Sequence, residues 1–137
     1  MTDADLVEKR LALIETFVRE LRTMAHPERM VLDVREERFI EHTLQLAVQA
    51  VIDVASHIVS DERLGEPVTN QELFVLLEKG AWLEHDVAVP LASAAAFRNV
   101  LVHGYAVVDL AIVRDVVENR LDVLLSFVAA VRRRLQM

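Results

Sequence analysis

The chain predicts an all-α fold: an antiparallel up-and-down four-helix bundle with one additional short helix. Three observations carry this. Only three glycines and three prolines punctuate 137 residues, too few for a turn-rich β architecture. Hydrophobic residues make up 53% and aromatics only 5%, so the core must be aliphatic. Apolar residues also recur at steps near three, four and seven along most of the chain, which is the helical period. The length suffices for one self-sufficient core, and residues 1–137 read as a single helical domain.

The elements follow in order. In the first helix Leu6, Leu13, Phe17, Leu21 and Met24 form the expected inner stripe, with Glu8, Lys9, Glu15 and Arg19 outside. Residues 25–32, containing Pro27, read as a connection. Asp33 followed by Glu36 has the form of a capping box and opens a second helix running to about Ser60, ended by 61–68 with Gly65 and Pro67. Thr69 followed by Glu72 opens a short helix that stops near Gly80. A fourth helix begins at 86–90, with Pro90 in its first turn, and continues past Ala94 and Phe97. Asp109 caps the last helix, in which Leu110, Val113, Val117, Leu121, Leu124, Val128 and Val131 keep helical spacing. The arginines at 132–134 stand at its C-terminus, where positive charge complements the helix dipole by ~0.3–1 kcal/mol; an RNA-binding tail is the second reading of that run.

Composition narrows the function. The net charge of −7 opposes broad duplex DNA binding, which needs a basic surface, and no basic recognition helix stands out. A small local phosphate site stays open, since Lys9 and Lys79 are the only lysines and arginine suits bidentate phosphate contacts. Without cysteine there is no disulfide or thiolate metal site, which fits a reducing cytoplasm. No signal peptide is visible, and no apolar run reaches the ~20 residues of a membrane span.

One stretch stands apart: FRNVLVHGY, residues 97–105. Arg98 and His103 are five residues apart, about 140° around an ideal helix and ~7.5 Å along it. They do not share a face, whereas Asn99 and His103 do. Gly104 is expected to end or loosen the helix, so the polar groups fan out from a helix end and need a neighbouring surface to complete a site. A histidine there feels the negative end of the dipole, which favours its protonated form, and can act as general base or acid. Arginine can hold a phosphate and stabilise charge on a pentacoordinate phosphorus. Together they suffice, without metal, for attack of a ribose 2′-hydroxyl on the adjacent phosphate. The same pair can equally cap carbonyls and form surface ion pairs.

Arg98-Asn99-Val100-Leu101-Val102-His103-Gly104-Tyr105 resembles the R-x4-H-x-Y motif of HepT-like toxins, a branch of the HEPN superfamily, and the likeness covers most of the chain. The preceding helix resembles that of the family in its polar ladder Gln49, Asp53 and His57. The resemblance implies a homodimeric HEPN-like bundle with Arg98 and His103 as catalytic residues in a cleft between the subunits. It implies a metal-independent RNA endonuclease with no cofactor, the toxin of a type II-like toxin–antitoxin pair. It also implies a partner, a minimal nucleotidyltransferase (MNT) antitoxin that transfers AMP to Tyr105. The alternative is a noncatalytic helical module that presents a nucleotide or substrate to such a nucleotidyltransferase.

The ladder Gln45, Gln49, Asp53, His57 steps by four along the second helix. Buried polar groups need partners, so the stripe should face solvent, an interface or the motif. Asp53 could orient Arg98 or His103 as an auxiliary residue, with Asn99 alongside, or belong to a solvated stripe. Asp53 and His57 also have metal-ligand spacing, without a third ligand in pattern. His26, His42 and His85 read as surface residues, and Phe74 and Trp82 as packing groups.

Overall fold

The computed structural model describes residues 2–103 and 108–137, His103 as a backbone position only. Among them it has six α-helices and no strand: α1 Ala4–Met24, α2 Val34–Asp61, α3 Asn70–Lys79, α4 His85–His103, α5 Leu110–Asn119 and α6 Asp122–Leu135, with a single 3-10 turn at Pro27–Arg29.

Local chemistry sets most helix starts. Asp3, Asp33, Thr69 and Asp109 each accept a backbone N–H from the first turn that follows, satisfying donors that would otherwise be orphaned. The two expected capping boxes close differently from the standard form. Glu36 accepts from the His26 N–H instead of reaching back to Asp33, tying the connection to α2, and Glu72 accepts from the Val68 N–H. Gly80 follows α3 as expected, but with φ −81; the left-handed residue is Ala81, at φ 64. Gly80 is needed for space, since a Cβ there would lie 2.9 Å from both methyls of Leu64.

Tertiary packing corrects three expectations. The buried stripe of α1 is Val7, Leu11, Ile14, Val18 and Leu21, while Leu6, Leu13 and Met24 are exposed. Both stripes have helical spacing and lie one residue apart, so periodicity alone could not choose between them. The last helix is two: Arg120 leaves helical geometry at φ −125, ψ 4. There Asp115 accepts both Asn119 Nδ2 at 2.8 Å and Arg120 Nε at 2.7 Å. The predicted seam still holds across the break, since Val113, Val117, Leu121, Leu124, Val128 and Val131 are all buried. Pro90 lies inside α4, not in its first turn.

The central helix is α2, which packs against every other helix and buries twelve of its residues. By length and composition it could cross a bilayer, but 61% of its most apolar stretch is buried inside the bundle, as befits a core helix. Side-chain contacts fix the directions. Thr2 bonds Glu62, so α1 starts where α2 ends. Arg22 pairs with Asp122 and Arg132 with Glu8 and Glu15, so α6 runs antiparallel to α1. Arg134 lies 5.3 Å over the Trp82 ring, placing the start of α4 at the end of α2. Hence α4 runs back along α2 and brings Arg98 towards α2's first third.

Candidate active site on α4

The inner face of α4 is anchored by Ala88, Leu91 and Ala95, all buried, with Phe97 and Leu101 packed partly buried against the core. The small residues Ala88, Ala92 and Ala96 face Gln71, Val75 and Glu78 of α3 across a shallow groove. Glu84 O accepts the N–H groups of Val87 and Ala88 and starts the helix. This scaffold fixes the backbone from which the motif residues project.

Arg98 is half-buried. Its Nε is buried and has no hydrogen-bond partner among the described residues. Asn99 and Val100, on the next positions, are exposed. His103 occupies the last position of α4. Gly104 and Tyr105 lie outside the described residues, so the expected helix end at Gly104 and the modification site fall there too.

Asp53 does not join this group. Its Oδ1 accepts from Gln49 Nε2 at 2.8 Å and its Oδ2 lies 3.7 Å from Arg10 Nη1 on α1. His57 Nε2 lies 3.1 Å from Asp61 Oδ2, although that nitrogen makes no aligned hydrogen bond; we read the contact as an electrostatic pairing along α2. Helix geometry explains the separation. Each four-residue step turns about 400°, so the ladder drifts by about 40° per step. Leu44 and Val48 line a groove with Phe97 of α4, whereas Asp53 has rotated to the α1 flank. It also stands nine residues beyond Leu44, about 13 Å further along α2.

A further polar group on α2 is Glu41, four positions before Gln45 and one rung earlier on the same ladder. Burial, then the neighbouring Glu37 carboxylate, pushes the Glu41 carboxyl above its usual range, and its Oε1 is buried without a partner among the described residues.

Beside the motif, α2, α4, α5 and α6 enclose a groove of about 620 Å³, lined by Leu44, Val48, Pro90, Phe97, Ile112 and Val116 among others. It is mostly apolar, with Asp115 and Arg120 at its edge. The outer side of α4 is apolar too: Val89 and Val100 are 49% and 47% exposed. A helix that is apolar on its outer as well as its inner face is suited to burial on both sides.

Comparison with known proteins shows what the chain as a whole is similar to. Residues 7–131 match the family model described as Ribonuclease HepT-like. The tRNA nuclease HepT of Aphanizomenon flos-aquae is 34% identical over 109 residues, 76% of this chain and 72% of its own length. The mRNA nuclease HepT of Shewanella oneidensis is 24% identical over 129 residues, covering 93% of this chain and 97% of that protein. Among solved structures, a tri-AMPylated Shewanella oneidensis HEPN toxin in complex with MNT antitoxin superposes with a TM-score of 0.87 at 23% identity, covering 96% of this chain and 99% of that one. This last likeness is one of fold.

Proposed function

The chain belongs to the ribonuclease HepT-like family, and from that membership we propose that it is the toxin of a toxin–antitoxin pair, a metal-independent RNA endonuclease. The observation that carries the proposal is the family match over 7–131, which includes both Arg98 and His103 on one helix. The reaction needs a base, an acid and a cation at phosphorus. His103 takes the proton from a ribose 2′-hydroxyl. The freed oxygen attacks the adjacent phosphorus, the bond to the 5′-oxygen breaks, and that oxygen collects a proton. The products are a 2′,3′-cyclic phosphate and a 5′-hydroxyl. Arg98 holds the non-bridging oxygens and offsets the charge that grows on them, with Asn99 as an auxiliary polar contact.

The outer apolar face of α4 supports a homodimer in which two motifs line one cleft. Such a cleft shields the reacting phosphate and strengthens the arginine contact. Tyr105, two positions beyond His103, is the acceptor of AMP from a nucleotidyltransferase antitoxin. Its phenolic oxygen displaces pyrophosphate from ATP and leaves an AMP ester at the mouth of the cleft, where RNA must enter. The protein works in the cytoplasm, with its RNA and its antitoxin.

The test is cleavage of end-labelled tRNA and mRNA in EDTA by protein whose intact mass shows an unmodified Tyr105. Wild type should cut and leave a cyclic phosphate, while Arg98→Ala and His103→Ala should not. Absence of cutting by dimeric, unmodified wild type would turn the reading to a noncatalytic partner of the nucleotidyltransferase.

A further inference from the structure

The groove beside the motif ends within one helical turn of Arg98. Ala94 and Phe97 of α4 line it, above Leu44 and Val48 of α2 and opposite Ile112 and Val116 of α5. It is open because α5, among the described residues, packs on α2 and the 3-10 turn and not closely on α4, which leaves Ile112 51% exposed. Arg98 follows Ala94 by four residues, about 6 Å further on and on nearly the same face of the helix. Helical side chains tilt towards the N-terminus, so the stem of Arg98 leans back over the turn of Ala94, towards the end of the groove. Arg98 is the only charged residue between Asp86 and His103, and its buried Nε has no hydrogen-bond partner among the described residues. The rim of the groove is neutral: Asp115 accepts from Arg120 Nε at 2.7 Å and from Asn119 Nδ2 at 2.8 Å, so its carboxylate is occupied.

We propose that this groove is a nucleobase subsite: a base next to the phosphate that Arg98 holds enters it and stacks on the Phe97 ring. The proposal rests on the reading of Arg98 as the phosphate-holding residue. A nucleotide joins a flat group with two apolar faces to an anion, and this site joins an apolar slot to a cation. The volume of about 620 Å³ falls within the ~300–1,000 Å³ of small-molecule sites, so a base and its ribose fit. Phe97 is the only aromatic residue that lines the groove among the described residues, and it is only partly buried against the core. Stacking on an aromatic ring holds any base, so the shape of the groove, and not the ring, sets which base is preferred. An apolar groove alone would suit a helix of a second copy equally well; the arginine one turn from Ala94 favours the nucleotide.

The test is equilibrium binding of two short 2′-O-methyl oligoribonucleotides, which attack by a 2′-hydroxyl cannot cut. One is intact and the other, of the same length, carries abasic riboses throughout. Wild type should bind the intact probe at least about tenfold more tightly. Phe97→Leu keeps the apolar bulk but not the ring; it should lose most of that preference and bind the abasic probe as wild type does. Ala94→Leu, which narrows the groove and leaves the ring in place, should do the same. Arg98→Gln should weaken both probes by a similar factor, since both carry phosphate. Equal binding of the two probes by wild type, or an unchanged preference in Phe97→Leu and Ala94→Leu variants that keep the wild-type Tm within a few degrees, overturns the subsite. If these variants lower the sedimentation mass and keep the preference, the groove seats a second copy and the proposal is likewise overturned. Failure of wild type to cut RNA in the cleavage assay would strike the nuclease reading alone, because the subsite is read from binding.

Discussion

Replacing Arg132 with methionine removes the clamp between the last helix and the first while keeping an unbranched stem against the core. In the native protein the guanidinium engages two carboxylates at once. Nε and Nη2 meet Glu8 Oε1 at 2.9 and 2.6 Å, and Nη1 and Nη2 meet Glu15 Oε2 and Oε1 at 2.9 and 2.6 Å. The side chains of Arg132, Glu8 and Glu15 are 30%, 51% and 42% exposed, so solvent screens each pair. Exposed pairs contribute ~0.2–1 kcal/mol each; with two pairs, the one to Glu15 bidentate, the loss should be about 1–2 kcal/mol. For a domain of this size that lowers Tm by roughly 4–8 °C.

The assay is thermal melting by circular dichroism at low and high salt, and from pH 7 down to 3. The hydrogen bond from Arg132 holds the Glu15 carboxyl below its usual value of 4.5. Its folded pKa is therefore the depressed one, so this stabilisation is full above 4.5 and is lost as pH falls through the lower folded value. The gap between wild type and Arg132→Met should accordingly close in acid, and should narrow in ~1 M salt. A Tm within about 1 °C of wild type at neutral pH and low salt would refute the argument, leaving the apolar seam alone to hold α6.

The remaining expectations concern the core, two unusual backbone positions and the motif. Phe127 is fully buried with its ring edge-on to Phe74, 6.2 Å between centroids; Phe127→Ala should cost about 3–5 kcal/mol, read as a shift in urea midpoint. Gly65 has φ +142, and a Cβ there would meet Leu76 Cδ2 at 2.9 Å. Gly65→Ala should therefore destabilise by at least ~1–3 kcal/mol, and an unchanged midpoint would contradict the strained turn. Ala81→Gly relieves a left-handed alanine at φ 64, worth ~1–2 kcal/mol, against a greater loss of unfolded-chain entropy of ~0.4–1 kcal/mol; the net expectation is a small gain in Tm. Arg98→Lys keeps the charge but not the planar fork, so RNA cleavage should drop by at least about tenfold while Tm hardly moves.

The amino-acid sequence determined the features that depend on a few neighbouring residues. Asp33, Thr69 and Asp109 start helices because each side-chain oxygen reaches an N–H two or three residues ahead, whatever the rest of the chain does. Gly65, Pro67 and Gly80 were legible as punctuation, although Gly65 and Gly80 also make room for Leu76 and Leu64. The motif from Arg98 to His103 was legible because its residue types and spacing are distinctive, and its helix follows from the aliphatic pattern around it. Tertiary structure decided what local rules leave degenerate. Two stripes on α1 have equal periodicity, and only packing against α2 and α6 buries Val7 and Leu11 in place of Leu6 and Leu13. The seam of the last segment survives a helix break at Arg120, so its period could not reveal the break. A ladder of four-residue steps looks like one face on paper, yet about 40° of drift per step turns Asp53 to Arg10 on α1, away from the groove that Leu44 and Val48 line with Phe97. Arg132 likewise reads as a helix-end charge until the fold brings Glu8 and Glu15, more than a hundred residues away in sequence, against its guanidinium.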